Sequence, residues 1–276
     1  MEIQYQETTS DLLTRIDIHQ KYGGRDIDQW MLDLLDMPSF PSAGRILDVG
    51  CGAGKQCLLF HRALGGGVNQ KSRAEITGGD VNPELLAKAR EENARLGNPL
   101  TILDLNFNQR FPFDDNQFDL ATCCFAIYYA VDIPFTIRQM HRVLKPGGRL
   151  FSTGPMPANK QLFYDLIREA TNNKPIPPMP GSSRYGTLIL DAMKATFANV
   201  EVHLFENPLT FTEVEPFLAY TRASLNEDRK IWGGFFDEVD TFESVMARIA
   251  EAAARRLERQ GKLVMTKVVG GFLAQK

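Results

Sequence analysis

A dominant charge, paired cysteines and long apolar runs are all missing from this sequence. Its 31 Lys and Arg against 34 Asp and Glu leave a formal net charge of −3. The broad basic surface used for nucleic acids is therefore lacking, and DNA or RNA is not expected as a partner. No stretch approaches the length of a membrane span. The opening MEIQYQETTS is not the basic-then-apolar pattern of a signal segment. The expectation is a cytoplasmic protein with no membrane partner. Cys51, Cys57, Cys123 and Cys124 do not form the pair of pairs that holds a metal. His19, His61, His141 and His203 are scattered. Neither a metal nor a disulfide is expected. What the chain does have is 22 glycines and 43% hydrophobic residues over a length of 276, enough for one large domain or two small ones.

The glycines concentrate where chemistry is expected. In RILDVGCGAGKQ, residues 45–56, Ile46, Leu47 and Val49 predict a buried strand that enters a turn carrying Gly50, Gly52 and Gly54, followed by a helix. Glycine there allows positive φ and lets a ligand approach the main chain. A dinucleotide turn requires G-x-G-x-x-G, but position 55 is Lys. The pattern from Asp48 is instead D-x-G-x-G-x-G, which resembles the first motif of the class I methyltransferases that bind S-adenosylmethionine (SAM). The resemblance implies that Asp48, Gly50, Cys51, Gly52 and Gly54 surround the methionine end of the cofactor.

Three later segments extend the resemblance. AEITGGD, residues 74–80, reads as a second strand ending in an acid. The resemblance implies that Asp80 accepts both ribose hydroxyls, as a two-oxygen carboxylate is able to, with Val81 beside it. A plain helix cap is the bland alternative for Asp80. Residues 101–129 hold two further strand signals. Asp104 ends the first, and by resemblance Asp104 and Leu105 meet the adenine, the acid taking its amine and the next main-chain N–H a ring nitrogen. The apolar run 120–125 suits a central parallel strand, with Phe125 at its cofactor end. QMHRVLKPGGRLFST, residues 139–153, resembles the RVLKPGG helix-turn-strand signature of many small-molecule methyltransferases. Pro146, Gly147 and Gly148 stop the helix and reverse the chain.

The implied fold is α/β, a Rossmann-like seven-stranded mixed sheet of the class I methyltransferase type with a helical cap insertion. Residues 1–40 are expected as an N-terminal helical lid, 41–210 as the SAM-binding Rossmann-like domain, 211–261 as a helical cap for substrate, and 262–276 as the last strand of the sheet. Helical spacing places one helix at residues 26–36 and a further one at 7–22, from which Tyr22 and His19 reach toward the site. Residues 184–197 read as another helix. In the cap, Val239, Phe242, Val245, Met246, Ile249, Ala253 and Leu257 fall on one helical face, and a dimer contact is the rival reading for that face. Arg222 hints at an anionic substrate, although a solvated arginine is the blander reading.

The implied activity is methyl transfer from SAM, with S-adenosylhomocysteine (SAH) as product, to a small-molecule acceptor. In-line displacement depends mostly on orientation, worth about 7–11 kcal/mol, so few residues must react. Tyr128, Tyr129 and His19 are pocket candidates, and no base is assigned. A non-catalytic SAM-binding protein, or another transferase using a SAM derivative, remains an alternative. Monomer and homodimer are both open.

Overall fold

The computed structural model describes residues 8–276. Residues 1–7, which carry most of the segment read for signal character and the start of the expected lid, lie outside the described residues. Seven strands, β1 (Arg45–Val49), β2 (Glu75–Asp80), β3 (Thr101–Asp104), β4 (Phe118–Cys124), β5 (Leu144–Pro155), β6 (Val200–Phe211) and β7 (Leu263–Gln275), form one sheet in the order β3-β2-β1-β4-β5-β7-β6. The first five are parallel, and β7 runs antiparallel to both neighbours. The mixed seven-stranded sheet is the expected fold. The strand order reverses between β1 and β4, and ligands of open α/β sheets bind beyond the carboxyl ends at such a reversal.

Helices cover both faces because the central strands are apolar on both sides. Ile46, Leu120 and Phe151 pack with α2 (Ile27–Leu34) and α3 (Lys55–Ala63), while Leu47, Ala121 and Leu150 pack with α5 (Ile133–Val143). α4 (Pro83–Arg95) crosses between β2 and β3. Asp26 caps α2 by accepting from the N–H of Asp28 and Gln29. The helix expected at residues 26–36 is thus shorter, with Asp26 serving as its cap. The turn of the KPGG signature lies inside β5, since α5 ends at Val143 and Leu144 already pairs with Phe118.

Two neighbouring glycines in β7 bring large rings against opposite faces of the sheet. A Cβ on Gly271 would stand 2.6 Å from the Trp30 ring, and one on Gly270 would stand 3.0 Å from Tyr185. Tyr185 stacks on Phe272 with centroids 4.5 Å apart. The helix expected over residues 184–197 is present as far as Thr196, but it contains a π-helical segment. A short α7 (Pro180–Arg184) leads into a π-helical turn, Tyr185–Ile189, and then α8 (Leu190–Thr196). The turn delivers Tyr185 to the sheet.

Beyond β5, α6 (Gln161–Ala170) begins the second half of the chain. Between β6 and β7 lie α9 (Val214–Ile231) and α10 (Phe242–Gln260). Phe217, Tyr220 and Trp232 are buried there with Val245, Ile249 and Ala253, on a floor made by Leu209, Phe211, Leu263 and Met265. α1 (Thr9–Tyr22) packs along α9. β5 pairs with β7 only from Val269 to Gln275, whereas β6 follows β7 from Leu263 to Ala274. The far half of the β6–β7 hairpin therefore projects past the sheet and carries the two helices at its tip. One expectation fails here: Val239 is 81% exposed in the loop before α10. Arg222 points outward to Glu243 at 2.8 Å, which is the solvated reading.

Candidate functional site

The turn after β1 is built by backbone conformation. Gly50, Gly52 and Gly54 take φ of 73°, 53° and 81°, a region that side chains with a Cβ disfavour. The N–H groups of Gly50 and Cys51 both donate to the Gly79 carbonyl, at 2.8 and 3.0 Å, so the turn is tied to the end of β2. A Cβ on Gly50 would come within 2.5 Å of Ala126. Even alanine would push the turn away from the end of β4.

Asp80 joins the turn to the next corner. Its Oδ2 accepts from the Gly52 N–H and its Oδ1 from the Asn82 N–H, each at 2.8 Å. A carboxylate oxygen has a second lone pair, so both retain the capacity to accept a hydroxyl. α4 is capped by Asn82, whose Oδ1 accepts from Glu84 and Leu85. The cap reading of Asp80 is thereby replaced. Val81, next along, is 57% exposed.

Asp48 lies beneath the turn and does not face its mouth. Only 1% exposed, it accepts from Thr122 Oγ1 at 2.6 Å and Cys57 Sγ at 3.6 Å. Burial pushes its carboxyl up to about 7, against the lowering effect of those two donors. Cys51 is buried, with its sulfur beside Cys57 behind Gly78. These residues support the cradle from below and make no wall of it.

At the adenine side, Asp104 ends β3 with its side chain exposed and Arg90 3.3 Å away. Leu105 corrects an expectation. Its N–H already donates to the Asp80 carbonyl at 2.9 Å, so it is not offered to a ring, and its buried side chain packs over Gly79. At the end of β4, Phe125 takes φ of 56°, a strained conformation for a bulky residue that is typical of functional corners. Tyr128 and Tyr129 follow on a 3-10 turn with rings 4.7 Å apart, and Arg184 donates to the Tyr128 carbonyl at 2.6 Å.

Tyr22 and His19 sit with the cap. Tyr22 packs on Phe211 at 5.0 Å, and His19 meets Tyr220 edge-on at 5.4 Å. Lys160, Tyr164 and Tyr220 join that neighbourhood, and none of them was legible as a site residue. They come from the loop after β5, from α6 and from α9, so no spacing in the sequence links them.

The residues present fit SAM in one decisive respect. The Asp80 carboxylate is fixed by the Gly52 and Asn82 N–H groups at the strand end beside the positive-φ turn, where a ribose needs paired acceptors. Among the described residues, no helix is long and apolar enough to cross a membrane.

A sequence profile of the methyltransferase domain family matches residues 47–152. The ubiquinone/menaquinone biosynthesis C-methyltransferase UbiE of Desulfotalea psychrophila is 30% identical over 155 residues, which cover 56% of this chain and 59% of that protein. The protein of the same name from Geobacter sp. strain M21 is 35% identical over 128 residues, covering 44% of this chain and 52% of its own. The chain thus spans just over half the length of these curated relatives. Among solved structures, the YcgJ protein of Bacillus subtilis superposes with a TM-score of 0.57 at 17% identity, covering 90% of this chain and 98% of that one. At that identity the likeness speaks for the fold alone. Strand order and family match agree, and they make residues 47–152 a methyltransferase domain of the class I, S-adenosylmethionine-dependent type.

Proposed function

We propose that this chain is a methyltransferase that moves the methyl group of SAM to a small organic acceptor. The observation that carries the proposal is the glycine turn bound through Gly52 to Asp80 at the carboxyl ends of β1 and β2. When bound, SAM supplies an electrophilic methyl group on a sulfonium. The chain's own residues do the rest. Gly50, Cys51, Gly52 and Gly54 shape the cradle, with Asp48 bracing it through Thr122. Asp80 orients the ribose with its remaining lone pairs, beside Val81, and Asp104 serves the adenine amine. Phe125, Tyr128 and Tyr129 line the path from the cofactor toward the acceptor, and Tyr22 borders it from α1. Aromatic faces near a sulfonium favour its charge by about 0.5–2 kcal/mol. A dry, oriented pocket needs little else to promote an in-line transfer.

The relatives' names refer to carbon methylation in quinone biosynthesis. The family match ends at residue 152, before either cap helix, so it leaves acceptor choice to residues 211–261. We assign those residues to substrate selection, residues 1–40 to a lid, and 41–210 with 262–276 to the cofactor-binding sheet. The cytoplasm as location, the lack of a nucleic-acid partner and a monomeric or homodimeric state belong to the same reading, which a net charge of −3 supports.

Calorimetric titration of SAM, SAH and NAD into the wild type and Asp80→Ala tests it. Micromolar binding of the first two, lost in the variant, is the expected result. Binding of NAD in their place overturns it, and binding of SAM with no turnover against any acceptor leaves a sensor as the answer.

A further inference from the structure

A group of polar side chains is enclosed between α1, α6 and α9, just past the carboxyl end of β5. Tyr220 is fully buried, and its hydroxyl has no hydrogen-bond partner. Ser224, one turn further along the same face of α9, is 1% exposed and also unpartnered; its hydroxyl approaches Tyr220 without reaching hydrogen-bonding geometry. Lys160 is 8% exposed, adopts a left-handed backbone with φ of 60°, and holds its ammonium over the Phe163 ring at 4.5 Å and the Tyr164 ring at 5.8 Å. His19 and Tyr164 are half-buried and mark the mouth of the group. The main chain pins the Lys160 loop in place, with Lys160 N–H donating to the Thr266 carbonyl and Asn159 Oδ1 accepting from Val268.

Buried hydroxyls without partners are costly and rare, and in native proteins they call for an explanation. One turn of α9 carries three, on Tyr220, Thr221 and Ser224, and the two that approach each other, next to a buried ammonium, are explained by a ligand that accepts hydrogen bonds. We propose that His19, Lys160, Tyr164, Tyr220 and Ser224 form the acceptor's polar subsite and bind an oxyanion there, a carboxylate or an ionised phenol or enol. Tyr220 and Ser224 donate to it and Lys160 supplies the charge.

The electrostatics point the same way. Burial alone would raise the Tyr220 phenol, but Lys267, Lys160 and Arg15 outweigh it and hold the group below its ordinary value. His19 is pushed down to about 2 by burial first, then by Lys267, Arg15 and Lys160, so it is a neutral ring that donates or accepts without adding charge. Burial opposes the Lys160 ammonium, yet Tyr164, Asp228 and Tyr220 more than restore it. The carboxylate of Asp228 offsets part of this positive field, and the field at Tyr220 is positive on balance.

The subsite rests on the methyltransferase reading only in calling its ligand the acceptor. Benzoate and 4-nitrophenolate serve as probes, with benzamide and nitrobenzene as neutral counterparts, titrated in the presence of SAH into the wild type, Tyr220→Phe and Lys160→Met. At least one oxyanion is expected to bind the wild type, and the one that does tells carboxylate from phenolate. Tyr220→Phe is expected to weaken it about tenfold, as loss of a hydrogen bond to a charged group does, with the neutral probes unaffected. The folded state loses no partner in Tyr220→Phe, so its melting temperature stays level or rises. Neither oxyanion binding while SAH binds, equal affinity in both variants, or a lowered melting temperature in Tyr220→Phe each overturns the subsite. Oxyanion binding that depends on Tyr220 without any SAH binding keeps the subsite and removes the methyltransferase reading.

Discussion

Asp48 is a carboxylate folded into a place that water does not reach, and this gives it a measurable signature. Its unfolded value is 3.8 and its folded value about 7. Below pH 3.8 both states hold the proton. Between there and about 7 only the folded state does, so stability falls as pH rises across that window and levels off above it. The loss is at most about 4 kcal/mol. Asp48→Asn keeps the shape and removes the ionisation, so urea midpoints of the two proteins should converge at low pH and separate in the variant's favour toward neutrality. Parallel curves would show that Asp48 ionises freely in the fold. At this scale the sequence was a partial guide. Gly50, Gly52, Gly54 and Asp80 could be placed because strand, turn and acid follow one another within a few residues. The direction in which Asp48 points could not, since it depends on Thr122, which lies 74 positions away. The use of the Leu105 N–H likewise depends on a carbonyl at the end of another strand.

Among the elements, the corner after α1 is held by one side chain. Buried Asn207 of β6 accepts from the N–H groups of Gly24 and Arg25 and donates to the Arg25 carbonyl. Arg25 adds a contact to the Glu206 carbonyl and lies 4.7 Å over the Phe205 ring. The corner between α1 and α2 is therefore latched to the projecting hairpin. Asn207→Ala should cost about 1–3 kcal/mol, and hydrogen exchange should show α1 losing protection well before β1 and β4. Uniform loss across the molecule would mean that the latch holds no particular element. Periodicity found α1, α2 and α10 because each has one apolar face. It missed the π segment Tyr185–Ile189, where Tyr185 stacks on Phe272.

For the whole molecule, the cap core shares its walls with the sheet. Leu209, Phe211, Leu263 and Met265 are continuations of β6 and β7, and Phe163 and Leu166 come from α6. The chain has two tryptophans, and they report on the two regions. Trp30 packs on Phe151 and Phe205 near the sheet, and Trp232 packs on Phe235 in the cap. The shared walls predict one cooperative transition. Fluorescence melts of Trp30→Phe and Trp232→Phe should therefore give the same midpoint once each variant's stability is corrected by circular dichroism; an earlier melt seen by Trp232 would show that the cap unfolds alone. The projecting hairpin also has a historical consequence. Every residue between Phe211 and Leu263 hangs from the tip of two strands that leave the sheet's register at Val269. A lineage that replaces that segment must therefore keep a face that fits Phe163 and Leu166 of α6 and Ile18 of α1, which share its core.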